Sequence, residues 1–170
     1  MKKTEWAAKL CGLSEQMQEN PYNLPLSIRK FVSIASVLAM DDKILILDEP
    51  TVGLDPQVRR KMWDLIRKMN EAGMTVLLTT HYIEEADQLC RRVAIMNRGR
   101  IIAVDTPQKL KEKVGRVVVE HMEADGMINN FFDNREQAAS YVAGLDSNAT
   151  VREANLEDVF IELTGRRVND

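Results

Sequence analysis

The stretch Ile44-Leu45-Ile46-Leu47-Asp48 is a short, wholly apolar run that ends in acid, with Glu49 directly after Asp48. Continuous apolar runs of this length, bounded by charge, read as strands of a covered sheet. A second run of the same shape, TVLLTT over residues 75–80, follows an amphipathic segment over 56–72 that Gly73 stops. A strand, a helix and a strand joined by a crossover of this length imply parallel pairing, since antiparallel neighbours need only a tight turn. The periodicity over 26–40 predicts a helix buried on much of its circumference that leads into the first strand. Runs at 93–96 and 100–104 flank Asn97-Arg98-Gly99, the signal of a tight hairpin. Thr106-Pro107 starts a short helix that closes at Gly115.

From about Arg116 the character changes. VVVEHM reads as a strand, 135–143 as a helix and 149–152 as a strand, and Asn155 caps a last helix, LEDVFIELT, that Gly165 stops. The expected architecture is α/β with a mainly parallel sheet over 1–115, followed by a small C-terminal α+β accessory domain over 116–170. A chain of 170 residues with 45% hydrophobic content has enough apolar surface for one sizeable core. Its 23 basic residues against 26 acidic ones give a net charge of -3, which supplies no field to recruit nucleic acid. Cys11 and Cys90 stand far apart with no metal-ligand spacing, the pattern of reduced thiols. The start MKKTEWAAKLCG meets Glu5 and Lys9 before an apolar core develops, unlike a signal peptide, and no apolar run approaches the ~18 residues of a membrane span. Glu84 and Glu85 read as the solvated first turn of a helix, favoured by its dipole.

Taken together, LILDEPTVGLDP and TVLLTTHYIEEADQLCRRVAIMNRGRIIAVDTPQKL resemble the ATP-binding cassette (ABC) ATPases, a branch of the P-loop NTPases, from about Leu24 to Leu110. Alone, an Asp-Glu pair or a His after a strand is more often a solvated strand end; it is the order and spacing of LILDEP, GLDP and TTH that make the match specific. The resemblance implies that Asp48 is the Walker B carboxylate that helps hold Mg²⁺ on the nucleotide. It implies that Glu49 is the general base acting on the attacking water, and that His81 contacts the γ-phosphate. Gly53-Leu54-Asp55 resembles the loop that meets the opposite subunit, so Asp55 joins the nucleotide-binding set. ATP and Mg²⁺ are the implied cofactors, and a second ATPase subunit and a transmembrane permease the implied partners. The implied location is cytoplasmic, peripheral at the inner face of the cell membrane through that permease.

Two departures accompany the resemblance. A Walker A loop, GxxxxGK[ST], needs glycines five positions apart, and the glycines at 12, 53, 73, 99, 115, 126, 144 and 165 include no such pair. Nor does the sequence contain the family's Gln-bearing loop. The sequence therefore reads as the later part of a cassette, inactive without the phosphate clamp. Counting back from Asp48 places Leu24-Pro25-Leu26-Ser27-Ile28 where the family carries LSGGQ. In the family the two glycines let a helix N-terminus approach the γ-phosphate held by the facing subunit. Leu26 crowds that approach, Ser27 retains a hydroxyl, and a plain helix start explains the segment equally well. ANLEDVFIELTG and the region after TTH resemble ABC-2 type exporter ATPases, whereas NPYNLPLSIRKFVSIASVLAM resembles energy-coupling importer ATPases. Export is favoured because that likeness covers more of the chain. The alternative class is a non-catalytic interaction module; a soluble ABC ATPase of DNA repair or translation is disfavoured by the acidic balance and by the lack of a coiled-coil insertion.

Overall fold

The computed structural model describes residues 2–40, 42–124, 126–145 and 147–165. The chain forms two compact units, Met1–His81 and Tyr82–Asp170. The first contains helix α1 (Lys2–Leu10), a 3₁₀ turn (Pro21–Asn23), helix α2 (Leu26–Leu38), strand β1 (Ile44–Asp48), helix α3 (Pro56–Glu71) and strand β2 (Thr75–Thr79). Strands β1 and β2 pair in parallel, as the crossover requires.

Helix α3 is specified locally at both ends. Asp55 caps it, Pro56 fills the first position where no N–H is needed, and Gly73 follows its end at φ 91. Its buried residues Met62, Leu65, Ile66 and Met69 recur at helical spacing on one face. Helix α2 is narrower in burial than the periodicity predicts. Only Phe31, Ile34 and Leu38 are buried, a single i, i+3, i+7 stripe, and Leu26 is 57% exposed. Ser33 and Ser36 spend their hydroxyls on the carbonyls of Arg29 and Val32. These side chains sit on a solvated flank that interrupts the apolar surface. Strand β1 likewise alternates: Leu45 and Leu47 are buried, while Ile44 and Ile46 are exposed. Ile46 pairs in register with Leu77, and the two are 67% and 59% exposed.

The second unit begins with helix α4 (Ile83–Leu89) and the hairpin β3 (Val93–Asn97) and β4 (Arg100–Asp105). Arg98 and Gly99 both take positive φ, 49 and 75, the two-residue turn whose twist matches the strands it joins. Ile102 is an extra residue in β4 at a register shift. Next come helix α5 (Pro107–Val114), strands β5 (Val117–Glu123) and β6 (Gly126–Phe132), helix α6 (Arg135–Val142), strand β7 (Ala149–Glu153) and helix α7 (Leu156–Thr164). Strand β5 lies between β6 and β7, antiparallel to both, and its run Val117–Val119 is buried, as a central strand should be. The parallel arrangement expected for the α/β part is thus confined, among the described residues, to β1–β2; the other pairings are antiparallel.

Gly115 ends α5 at φ 123, and a Cβ there would meet Phe131 Cβ and Phe132 N at 3.0 Å. Only glycine satisfies both demands. The division expected at 115/116 falls inside this unit, where Ile95, Leu110, Leu156 and Val159 form one core. The last five residues of the expected accessory domain lie outside the described residues. Glu85 departs from its expected solvation: it is fully buried, whereas Glu84 is exposed. Ile83 and Ala86 of the same short helix pack on the core, and the turn between them carries Glu85 inward. Burial pushes the Cys11 thiol up to about 11; it also raises Cys90, with a further push from the charge of Glu85. Both cysteines are free.

Arg152 holds β5, β7 and α7 together. It donates to Glu120 at 2.7 Å and grips Asp158 with two parallel bonds of 2.7 and 2.8 Å. Asp158 also accepts from the Asn155 N–H, while Asn155 accepts from the Asp158 N–H, a reciprocal cap on α7.

Two outcomes are expected. Asp158→Ala leaves the Arg152 guanidinium without its bidentate partner and removes half of the cap, so urea unfolding should show a loss of about 3 kcal/mol. The apolar pair Ile46 and Leu77 should drive self-association of the purified chain at rising concentration. Sedimentation velocity should show that association, and Ile46→Lys should suppress it with a change in stability of only about 0.5 kcal/mol.

Candidate active site at the ends of the parallel strands

Strands β1 and β2 run in register from Ile44↔Thr75 to Asp48↔Thr79, so their last residues emerge side by side. There the Thr79 hydroxyl donates to Asp48 Oδ1. The main chain continues the pairing one residue further: Glu49 N–H donates to Thr79 O at 3.1 Å and reaches Thr79 Oγ1 at 3.2 Å. The chain then turns sharply, with Glu49 at φ 47. A non-glycine residue in this left-handed region carries a cost of roughly 1–2 kcal/mol. The turn brings Glu49 Oε2 to 2.9 Å from Nδ1 of His81, which lies just beyond the end of β2. Oε2 itself is buried and meets no hydrogen-bond partner of good geometry among the described residues, so the contact is a close approach that becomes an ion pair when the ring is charged. The Glu49 side chain is 36% exposed and that of His81 61%. The pair is open to solvent on the histidine side.

Beyond Glu49 the loop is built from turns. Val52 N–H donates to Glu49 O at 3.3 Å and Leu54 N–H to Thr51 O at 3.1 Å, with Gly53 at φ 75. Asp55 ends the loop. Its Oδ1 accepts from the N–H groups of Gln57 and Val58, each at 3.0 Å, so this oxygen is committed to capping α3. A hollow of about 160 Å³ opens beside the carboxylates, lined by Lys30, Ser33 and Ile34 of α2 and by Asp48, Glu49 and Pro50 at the strand end.

The structure brings Asp48, Glu49 and His81 together and places Asp55 at the far end of the same loop. Leu24, Pro25, Leu26, Ser27 and Ile28 lie elsewhere in the unit, where the 3₁₀ turn passes into α2. Leu24 is buried, Pro25 stands at the N-cap without a side-chain cap, Leu26 is exposed, and Ser27 and Ile28 are half-buried. No hydrogen bond among the described residues links them to the carboxylates. Two neighbours went unread in the sequence. Thr79 sits opposite Asp48 in register, a position legible once both strands are aligned. Lys30, whose Nζ donates to the carbonyls of Pro50 and Val52, carries no local signal.

Among the described residues no group of three or more His, Cys, Asp or Glu is arranged to hold a metal. Mg²⁺ in phosphoryl-transfer sites takes one or two carboxylates and completes its shell with waters and phosphate oxygens. Asp48 fits that need for a single carboxylate. The phosphate oxygens would need a cradle, and the glycine spacing of the sequence supplies none.

A family model described as "AAA domain, putative AbiEii toxin, Type IV TA system" matches residues 19–87. The Nod factor export ATP-binding protein I of Burkholderia pseudomallei is 36% identical over 164 residues, covering 84% of this chain and 54% of that protein. The protein of the same name from Cupriavidus metallidurans is 37% identical over 168 residues, with the same coverage. The chain thus spans about half the length of these curated relatives. Among solved structures, cbiO1 from Clostridium perfringens, described as part of the ABC transporter complex cbiONQ, is 34% identical with a TM-score of 0.60. That match covers 64% of this chain and 44% of cbiO1. An ATP-binding subunit of an ABC transporter covers 96% of this chain and 53% of its own length, with a TM-score of 0.61 at 20% identity, a likeness of fold. On the strength of the curated relatives and of cbiO1, the chain belongs to the ATP-binding cassettes of ABC transporters and carries the later part of such a cassette.

Proposed function

We propose that this chain supplies the water-activating side of an ABC transporter ATPase site. The observation that carries this reading is the 2.9 Å contact of Glu49 with His81 beside Asp48, at the ends of adjoining parallel strands. In this reading Asp48 holds Mg²⁺, which when bound neutralises charge on the phosphate oxygens. Glu49 accepts the proton of the attacking water. His81, set beside Glu49, contacts the γ-phosphate. The oxygen of Asp55 outside the cap faces a second ATPase subunit, and residues 24–28 address the nucleotide held there. Residues 116–170 act as an accessory region. The assembly couples MgATP hydrolysis to a transmembrane permease from the cytoplasmic side of the membrane. The export names of relatives aligned over 84% of the chain support export, while the importer alternative rests on the resemblance of NPYNLPLSIRKFVSIASVLAM alone. No helix among the described residues is long and apolar enough to cross a membrane.

A second reading, a non-catalytic module that docks to transporter partners, draws on the missing GxxxxGK[ST] and on Leu26 at the start of α2.

These readings separate by experiment. The chain alone should bind MgATP negligibly by calorimetry, because a helix-terminus contact contributes ~0.3–1 kcal/mol whereas micromolar affinity requires about 8 kcal/mol. Joining it to an N-terminal half with a Walker A loop, taken from a Nod factor export relative, should restore binding and hydrolysis. In that graft Glu49→Gln should keep binding while losing ~10²–10⁴-fold in turnover, since the amide preserves shape and removes the basic oxygen. Equal turnover in the two grafts refutes the general-base role, and a graft that binds MgATP without hydrolysing it favours the docking module.

A further inference from the structure

Lys30 lies on α2, one turn beyond Leu26, and its ammonium reaches across to the loop that follows Glu49. Nζ donates to Val52 O at 2.6 Å and to Pro50 O at 3.2 Å. Without it, the described bonds that shape this loop are short-range turns, the longest being Val52 N–H to Glu49 O at 3.3 Å. Charge-assisted bonds of this kind are roughly twice as strong as neutral ones. They also join residue 30 to residues 50 and 52, so they tie the loop to a helix and not merely to itself.

The loop needs such a tie because of its first residue. Glu49 sits at φ 47, a conformation that glycine adopts freely and that other residues keep only where their surroundings over-determine it. Glycine would relieve the strain but would remove the carboxylate that meets His81. On one side Glu49 is held by its N–H on Thr79 O. On the other side, Lys30 grips the two carbonyls just downstream. We infer that Lys30 is a positioning residue: by holding the carbonyls of Pro50 and Val52 it keeps Glu49 in the left-handed turn that presents its carboxylate to His81. The mechanical part of this inference stands on the geometry, and its consequence for turnover rests on the proposed function.

Amide hydrogen exchange on the full chain reads the mechanical part. Lys30→Met removes the donors while keeping an apolar stem, and Lys30→Arg keeps donors. The Met variant should raise exchange at Val52 and Leu54 about tenfold or more while leaving Leu65 and Ile66 inside α3 unchanged, and the Arg variant should restore most of the protection. Unchanged exchange at Val52 and Leu54 overturns the inference. So does an equal rise at Leu65 and Ile66, which would make Lys30 a support of the whole unit. In the Walker A graft, Lys30→Met should lower kcat about tenfold with KM for MgATP unchanged, and Lys30→Arg should recover it. Loosened exchange with unaltered kcat overturns the positioning role. The Glu49→Gln graft serves as the control: if it retains full turnover, the general-base reading fails, while the exchange data still judge the grip.

Discussion

Everything at the candidate site hangs on the register of one parallel pair. Asp48 faces Thr79 because Ile44 faces Thr75, and the pairing runs unbroken between them. From that alignment follow the Thr79 hydroxyl on Asp48, the Glu49 N–H on Thr79 O and the approach of His81 to Glu49. A slip by one residue would send Asp48 and Glu49 to opposite faces from those they occupy and separate Glu49 from His81. The register is fixed by the alternation of buried Leu45 and Leu47 against exposed Ile44 and Ile46, and by α3, whose cap, proline and glycine set the length of the crossover.

This explains which parts of the fold were legible from residues alone. Elements governed by local chemistry were readable: the Asp55-Pro56 start of α3, the Arg98-Gly99 hairpin, the Thr106 cap of α5 and the Asn155 cap of α7 all depend on side chains within four residues of their partners. Strand β6 was not, because GMINNFF places two asparagines mid-strand and lacks alternation; Asn130 instead turns to buried His121 and half-buried Tyr141. Nor was α1, whose KKTEWAAKL shows a weak apolar face. The inward turn of Glu85 follows from packing around it and not from the residue itself.

At the site the division is similar. The order of carboxylates and histidine was visible, since strand ends deliver them. The left-handed turn at Glu49 was not, because DEPT contains no glycine at that position. The commitment of Asp55 Oδ1 to a helix cap, and the reach of Lys30 to a loop 20 residues away, are likewise set by the folded backbone and not by residue type. Burial is narrower than the apolar runs of α2 and β1 suggest, for separate reasons: Ser33 and Ser36 solvate one flank of α2, and Ile46 and Leu77 stay exposed among the described residues. A two-stranded sheet is marginal by itself, so the pair relies on α3, which packs against β2.

The unit itself sets Glu49 against His81, before any nucleotide arrives. The tautomer of His81 reports this directly. In the free chain at pH 8, long-range ¹H–¹⁵N NMR should show the neutral His81 ring protonated at Nδ1, the form that a carboxylate beside that nitrogen favours, in place of the Nε2–H form usual for a solvated histidine. Glu49→Gly should return the ring to the Nε2–H form. An Nε2–H ring in the unmodified chain, indifferent to the loss of the carboxylate, would mean that the unit does not set the pair.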